Sequence, residues 1–236
     1  MLHALKGRHA MVSFERPDQL AEAAEVCQSI ALDNGSYSAW TAGRAYDFQG
    51  YIDWVGQWLR HSAVDWAVIP DVIDGDPGQC ASQNERLLAV WPHGTRGVPV
   101  WHLHEPLERL TWLAKKWPRI ALGSSGDYAN PGSNPWWDRM ANIMRVICDD
   151  EGYPLVKLHG LRMLDPVIFS HVPLASADSC NVARNVGIDE KWEGPYSPTS
   201  KTVRAMILID RIESHAVAHR WNASGAGVQQ NLELFG

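Results

Sequence analysis

The chain has 236 residues, 45% of them apolar, with 21 Lys and Arg against 27 Asp and Glu and a formal charge of −6. That balance excludes a protein that coats nucleic acid non-specifically, so any contact with a polyanion needs a local basic patch. The four cysteines, Cys27, Cys80, Cys148 and Cys180, form no C-x-x-C pair, which argues against a zinc ribbon or a disulfide framework and suits a reducing cytoplasm.

In chain order, short apolar runs alternate with longer amphipathic stretches. "AMVSF" (10–14) and "QSIALD" (28–33) read as strands, followed by a helix over "DFQGYIDWVGQWLRHS" (47–62). "DWAVIPD" (65–71) reads as the third strand, then a helix over "SQNERLLAVWPHG" (82–94) and a strand at "VPVWHLH" (98–104). A helix over "EPLERLTWLAKKW" (105–117) leads to the strand "RIALGSS" (119–125) and a helix over "NPWWDRMANIMRVICDDEG" (134–152). "PLVKLHG" (154–160) and "PLASAD" (173–178) complete seven strands, and "KTVRAMILIDRIESHAVAHRW" (201–221) reads as a C-terminal helix after the long loop "KWEGPYSPTSKT".

Strands that are apolar on both faces belong in parallel sheets covered by helices, and closure removes exposed edges. The expected architecture is α/β, a (β/α)8 TIM-type barrel in a single domain spanning 1–236, although only seven strands can be placed. "MLHALKGRHAMVSF" lacks the long apolar core of a signal peptide, and no uncharged run is long enough to span a bilayer, so a cytoplasmic protein without a membrane partner is expected. Of the 12 tryptophans, Trp54, Trp58, Trp112 and Trp117 lie at inward-facing helical spacings, whereas Trp136 and Trp137 follow a Gly/Pro/Asn loop and are candidates for a surface that meets a partner.

In such a barrel the C-terminal ends of the strands converge on one mouth. Those ends carry Asp33, Asp71, His102 and His104, the turn 123–126, His159 and Asp178. Each aspartate taken alone reads as a helix cap; three in register, with histidines and a Gly/Ser turn, suggest chemistry. A metal hydrolase is one reading, because "WHLH" is an H-x-H pair. Alternate strand residues face opposite ways, however, so a regular strand sends only one of His102 and His104 into the mouth. No metal is expected.

The other reading is carboxylate chemistry at an anomeric carbon. A retaining exchange needs one carboxylate as nucleophile and a second acid that protonates the leaving base and deprotonates the incoming one. A third, buried carboxylate accepting from the edge of guanine would reject adenine.

Four segments carry a resemblance. "LDNGSYSAW" resembles the strand-end D-S-G-G-F-Q of the tRNA-guanine transglycosylases and the D-N-G-A-F form of their DNA-modifying relatives; "VIPDVIDGD" is similar to the segment whose aspartate reads guanine. "IALGSSGDY" resembles the G-G-L-A-V-G-E turn, and "SADSCNVARNVG" resembles F-D-S-x-x-P-T-R-x-x-R-N-G, in the same order along the chain. The resemblance implies Asp178 as nucleophile, Asp33 as general acid/base and Asp71 as the guanine-reading carboxylate. It also implies that Gly123 and Ser124 give backbone donors to the base and that His104 and Tyr37 line the base site; His159, at another strand end, is a further substrate-binding candidate. Arg184 and Asn185 match the family's R-N pair, and with Arg162 and Lys191 they are candidate nucleic-acid contacts.

The segment between Asp178 and Arg184 is shorter than the family pattern, and the family's C-x-C-x-x-C zinc site is absent from the sequence. These departures favour the compact, DpdA-type branch that inserts 7-deazaguanines into DNA. The expected partners are therefore DNA, with tRNA as the alternative, and a 7-deazaguanine base such as preQ0, with no cofactor. A homodimer or a partner in a modification complex is possible, and a non-catalytic deazapurine-binding subunit is the reading from a different class.

Overall fold

A computed structural model describes residues 2–73, 76–180, 182, 185–187 and 198–222. Arg184, Lys191 and most of the long loop before the last helix lie outside the described residues. The described residues fall into two compact units. One lies within Met1–Ile73, Ser82–Val100 and Cys180–Ser214, the other within Asp74–Ala81, Trp101–Ser179 and His215–Gly236.

The first unit holds strands β1 (His9–Ser13), β2 (Ser29–Asp33), β3 (Val64–Val68) and β4 (Gly97–Val98), in the spatial order β1-β2-β3-β4. Each neighbouring pair is parallel. The run Ser29–Asp33 is buried at its three central positions, as expected of a strand covered on both faces. Its helices are α1 (Leu20–Val26), α2 (Ser36–Thr41) and α3 (Phe48–Trp58), and α4 (Pro77–Ala89) begins in the second unit and ends in the first.

In α3 the Asp47 carboxylate accepts from the Gly50 N–H at 2.9 Å, which caps the helix. Tyr51, Ile52, Trp54 and Val55 then form one buried face. The Tyr51 hydroxyl donates to the Val68 carbonyl at 2.6 Å, fixing the helix to the end of β3.

The second unit holds β5 (Val100–His102, from Trp101 on), β6 (Arg119–Gly123), β7 (Lys157–Leu161) and β8 (Ser176–Ala177), in the order β5-β6-β7-β8. The β6–β7 and β7–β8 pairs are parallel. Its helices are α5 (Leu107–Lys116), α6 (Asn134–Ile147) and the single turn α7 (Pro166–Phe169). Trp136, Met140, Ile143, Met144 and Ile147 form the buried stripe of α6. The helix α8 (Lys201–Glu213) belongs to the first unit.

Eight strands are therefore present among the described residues, one more than the sequence placed. The extra one comes from "VPVWHLH", which is two strands: β4 ends at Val98, β5 begins at Val100, and Pro99, which has no N–H to give a ladder, stands between them. The C-terminal helix also ends earlier than expected, at Glu213. Beyond it the N–H groups of Ala218 and Trp221 go to the carbonyls of Phe169 and Gly152 at 2.9 and 2.8 Å, tertiary partners that replace the helical ladder.

Trp136 is not at a surface. It is fully buried, and its indole N–H donates to the Ser124 hydroxyl at 3.0 Å. Trp112, expected inside, is 36% exposed, with Lys116 Nζ 4.2 Å from its ring centroid. No helix among the described residues is long and apolar enough to cross a membrane.

Candidate active site

In the first unit the residues following β2 and β3 form one polar cluster. "DNG" makes a turn from its own side chains: Asp33 Oδ2 accepts from the Gly35 N–H at 3.2 Å and Asn34 Oδ1 from the Ser36 N–H at 2.8 Å. Gly35 has φ of 75°, a left-handed conformation that favours glycine. Asn34, 3% exposed, donates from Nδ2 to the Ile69 carbonyl at 3.1 Å and to Asp71 Oδ1 at 2.8 Å. Asn34 thus ties Asp71 to the strand end that carries Asp33.

Tyr46, in the loop before α3, stands in the same cluster. Burial pushes its hydroxyl well above the ordinary phenol range, and the negative charges of Asp71 and Asp33 push it further. A phenol held protonated beside two carboxylates is a donor. Tyr37, expected to line the base site, is 42% exposed on α2, with Trp40 5.8 Å away between ring centroids.

In the second unit the ends of β5 to β8 build a second cluster. β5 ends at His102, so the alternation expected to separate His102 from His104 stops there; the chain turns and the two rings stack, with centroids 5.8 Å apart and planes at 27°. His104 Nδ1 meets the Ser125 hydroxyl at 2.5 Å. The turn is held by Glu105, fully buried, which accepts from the His102 N–H at 3.1 Å and pairs with Arg109 at 2.6 Å. Gly123 closes β6, its carbonyl accepting from the Leu103 N–H at 2.9 Å; Ser124 follows it, 5% exposed.

Asp178 follows β8. Its main chain is fixed on both sides: its N–H donates to the Gly160 carbonyl at 3.2 Å, and its carbonyl accepts from the Leu164 N–H at 3.0 Å. Oδ1 accepts from the Arg162 N–H at 3.0 Å and stands 3.3 Å from His159 Nε2. Among the described residues Oδ2 accepts no hydrogen bond, and the side chain is 22% exposed. One oxygen is held and the other is not.

Arg162 reaches this position only with φ of 61°, and it is the one described non-glycine residue with positive φ. Such a conformation costs a β-carbon-bearing residue about 1–2 kcal/mol, and strain of this kind gathers at functional sites. Its guanidinium donates to the Ser124 carbonyl at 3.0 Å, so the side chain expected to contact nucleic acid grips the protein's own β6 turn. In the first unit Arg204 is buried, donating to the Pro198 carbonyl at 2.5 Å. Asn185 is half-buried beside Val186, which packs on Ala4 and Ala205.

Sequence reasoning missed Asn34, Tyr46 and Ser176, and gave Ser125 no role beyond its place in the turn 123–126. Ser176 carried a signal: two residues before Asp178 on a strand, it shares that residue's face. Tyr46 carried none, because it lies in a loop with no periodicity. Among the described residues no group of three or more His, Cys, Asp or Glu is placed to hold a metal ion. No family model, curated protein or solved structure matches this chain.

Proposed function

We propose that the chain is a base-exchange transglycosylase that replaces guanine in DNA with a 7-deazaguanine through a covalent aspartyl-glycosyl intermediate, and that its two four-stranded sheets are halves of one (β/α)8 barrel. The barrel reading is supported by eight strands in sheets of parallel pairs. It is supported also by the placement of Asp33, Ser124 and Asp178 at or immediately after C-terminal strand ends, and of Asp71 in the segment that follows β3, where barrels carry their chemistry.

The observation that carries the reaction is Asp178. A carboxylate with Oδ1 clamped by a main-chain N–H and Oδ2 unengaged is prepared to attack. In the proposed sequence Oδ2 bonds to C1′ of the target nucleotide as the N9–C1′ bond breaks, and the departing guanine takes a proton from the Asp33 carboxyl. The incoming 7-deazaguanine loses its N9 proton to the Asp33 carboxylate, and N9 displaces Asp178, with retention at C1′. Asp71, held by Asn34, accepts from the guanine edge, and the turn after β6 supplies donors to its carbonyl oxygen. Tyr46 stays protonated beside Asp33 and Asp71, because burial and their charges both disfavour its anion. tRNA is the alternative polymer, and a non-catalytic deazapurine-binding subunit the alternative role.

The test is incorporation of labelled guanine, and of a panel of unlabelled 7-deazaguanines by displacement of label, into guanine-containing DNA and tRNA. Label should enter DNA, and Asp178→Ala should abolish its entry. Absence of exchange into both polymers overturns the reading, and exchange into tRNA alone changes the polymer. An Asp178 that serves only to brace the chain would leave exchange intact and lower stability by about 1 kcal/mol on substitution.

A further inference from the structure

Next to Asp178 is a histidine with one ring nitrogen hydrogen-bonded to the neighbouring strand and the other in a longer, electrostatic contact with the carboxylate. β7 and β8 are paired in register, His159 opposite Ser176. Their side chains meet: His159 Nδ1 lies 2.9 Å from Ser176 Oγ. Two residues further, on the same face, Asp178 brings Oδ1 to 3.3 Å from His159 Nε2. The ring is 2% exposed, so it neither meets bulk water nor rotates freely.

We propose that Ser176 and His159 form a positioning relay for the Asp178 nucleophile, with the Ser176 hydroxyl fixing the ring so that its proton lies on Nε2, facing Oδ1. This rests on the transglycosylase reading of Asp178. A neutral imidazole has one N–H, and the nitrogen that carries it is set by the partner of the other. A serine hydroxyl donating to Nδ1 makes that nitrogen the acceptor and leaves the proton on Nε2.

Oδ1 then has two positive neighbours, the Arg162 N–H, which donates a hydrogen bond to it, and the Nε2 proton, which acts on it electrostatically across 3.3 Å. The consequence is asymmetry. Oδ1 carries the stabilised charge, the carboxylate plane is fixed, and Oδ2 is the oxygen presented to C1′. Holding a nucleophile within a few tenths of an ångström of its attack geometry is worth orders of magnitude in rate. His159 touches neither substrate nor the reacting oxygen in this role, so it acts through Asp178.

The relay predicts a pattern among four variants assayed for labelled-guanine exchange into DNA. His159→Ala should lower kcat on the order of ten- to a hundredfold with KM for the polymer little changed. His159→Gln, whose amide N–H reaches toward the place of Nε2, should recover a large part of that loss, and Ser176→Ala should lower kcat less than His159→Ala. A purely structural histidine would not be rescued by glutamine and would lower the thermal midpoint instead.

A His159→Ala kcat within about twofold of wild type, alongside an inactive Asp178→Ala, overturns the relay and leaves the transglycosylase reading standing. Exchange retained by Asp178→Ala overturns that reading and the relay with it. Nitrogen-15 NMR of the His159 ring supplies a readout free of activity: the proton should be on Nε2 in the wild type and should lose that preference in Ser176→Ala. A proton found on Nδ1 in the wild-type ring overturns the proposal.

Discussion

The most constrained single residue is Arg162. Its N–H holds Asp178, its guanidinium holds the Ser124 carbonyl, and its backbone occupies the left-handed region in order to do both. The two roles separate by substitution. Arg162→Gly keeps the N–H and relieves the strain, whereas Arg162→Ala keeps the strain; both lose the guanidinium. The glycine variant should be the more stable by about 1 kcal/mol, measured by urea denaturation. Equal stabilities would show that no strain is held there. Which of these roles a sequence reveals depends on whether it is local. The strand ends marked Asp33, Asp71 and Asp178 as candidates, because a carboxylate after an apolar run is visible in a short window. The direction of the Arg162 side chain was not visible, since a basic residue near a strand end reads equally as a phosphate contact or as a clamp on a neighbouring turn.

At the scale of elements, β7 and the turn after it depend on Gly160. A β-carbon there would stand 2.7 Å from Met163 Cβ and 2.8 Å from Leu174 Cδ1, closer than packed atoms approach. Gly160→Ala should therefore push the turn away from the strand and cost about 1–3 kcal/mol. Because the displaced segment lies between His159 and Arg162, the proposed exchange activity should fall as well. A variant with an unchanged denaturation midpoint would mean that the turn yields without cost.

The same scale explains the two misread boundaries. Apolar composition made "VPVWHLH" a single strand, but the missing N–H of Pro99 falls between two sheets. Apolar and helix-compatible residues continued the last helix to Trp221, but tertiary acceptors, the Phe169 and Gly152 carbonyls, take the backbone donors of Ala218 and Trp221. Local pattern reports propensity; the partner that satisfies a backbone group is a non-local fact.

The whole molecule carries protons on buried groups that the unfolded chain would release. Burial, and then the nearby Asp149 charge, push the Cys148 thiol up to about 11 from 9.0. Burial and neighbouring charge also raise Tyr46 and Tyr51 above the ordinary phenol value of 10.0. With folded-state values above unfolded ones, the native state binds more protons in this range, so stability is fully present below about pH 9 and is lost as the pH rises toward 11 and beyond. The urea midpoint should fall between pH 8 and pH 10.5 in wild type, and Cys148→Ala combined with Tyr46→Phe should flatten that fall. The exposed Cys180 should react with a thiol reagent well before Cys148 does.

By itself the sequence determined the alternation of strands and helices, the parallel character of strands apolar on both faces, and the polar residues that mark the strand ends, because each is written in a window of a few residues. It also determined the charge balance that makes any polyanion contact local. Tertiary structure alone decided that Asn34 joins Asp71 to the β2 end, that His102 and His104 stack, that Trp136 is buried against Ser124, and that His159 lies between Ser176 and Asp178. Those relations depend on the register between strands and on turns held by distant side chains. Hydrogen bonds and packing between residues far apart in the chain set them, and no short window contains both partners.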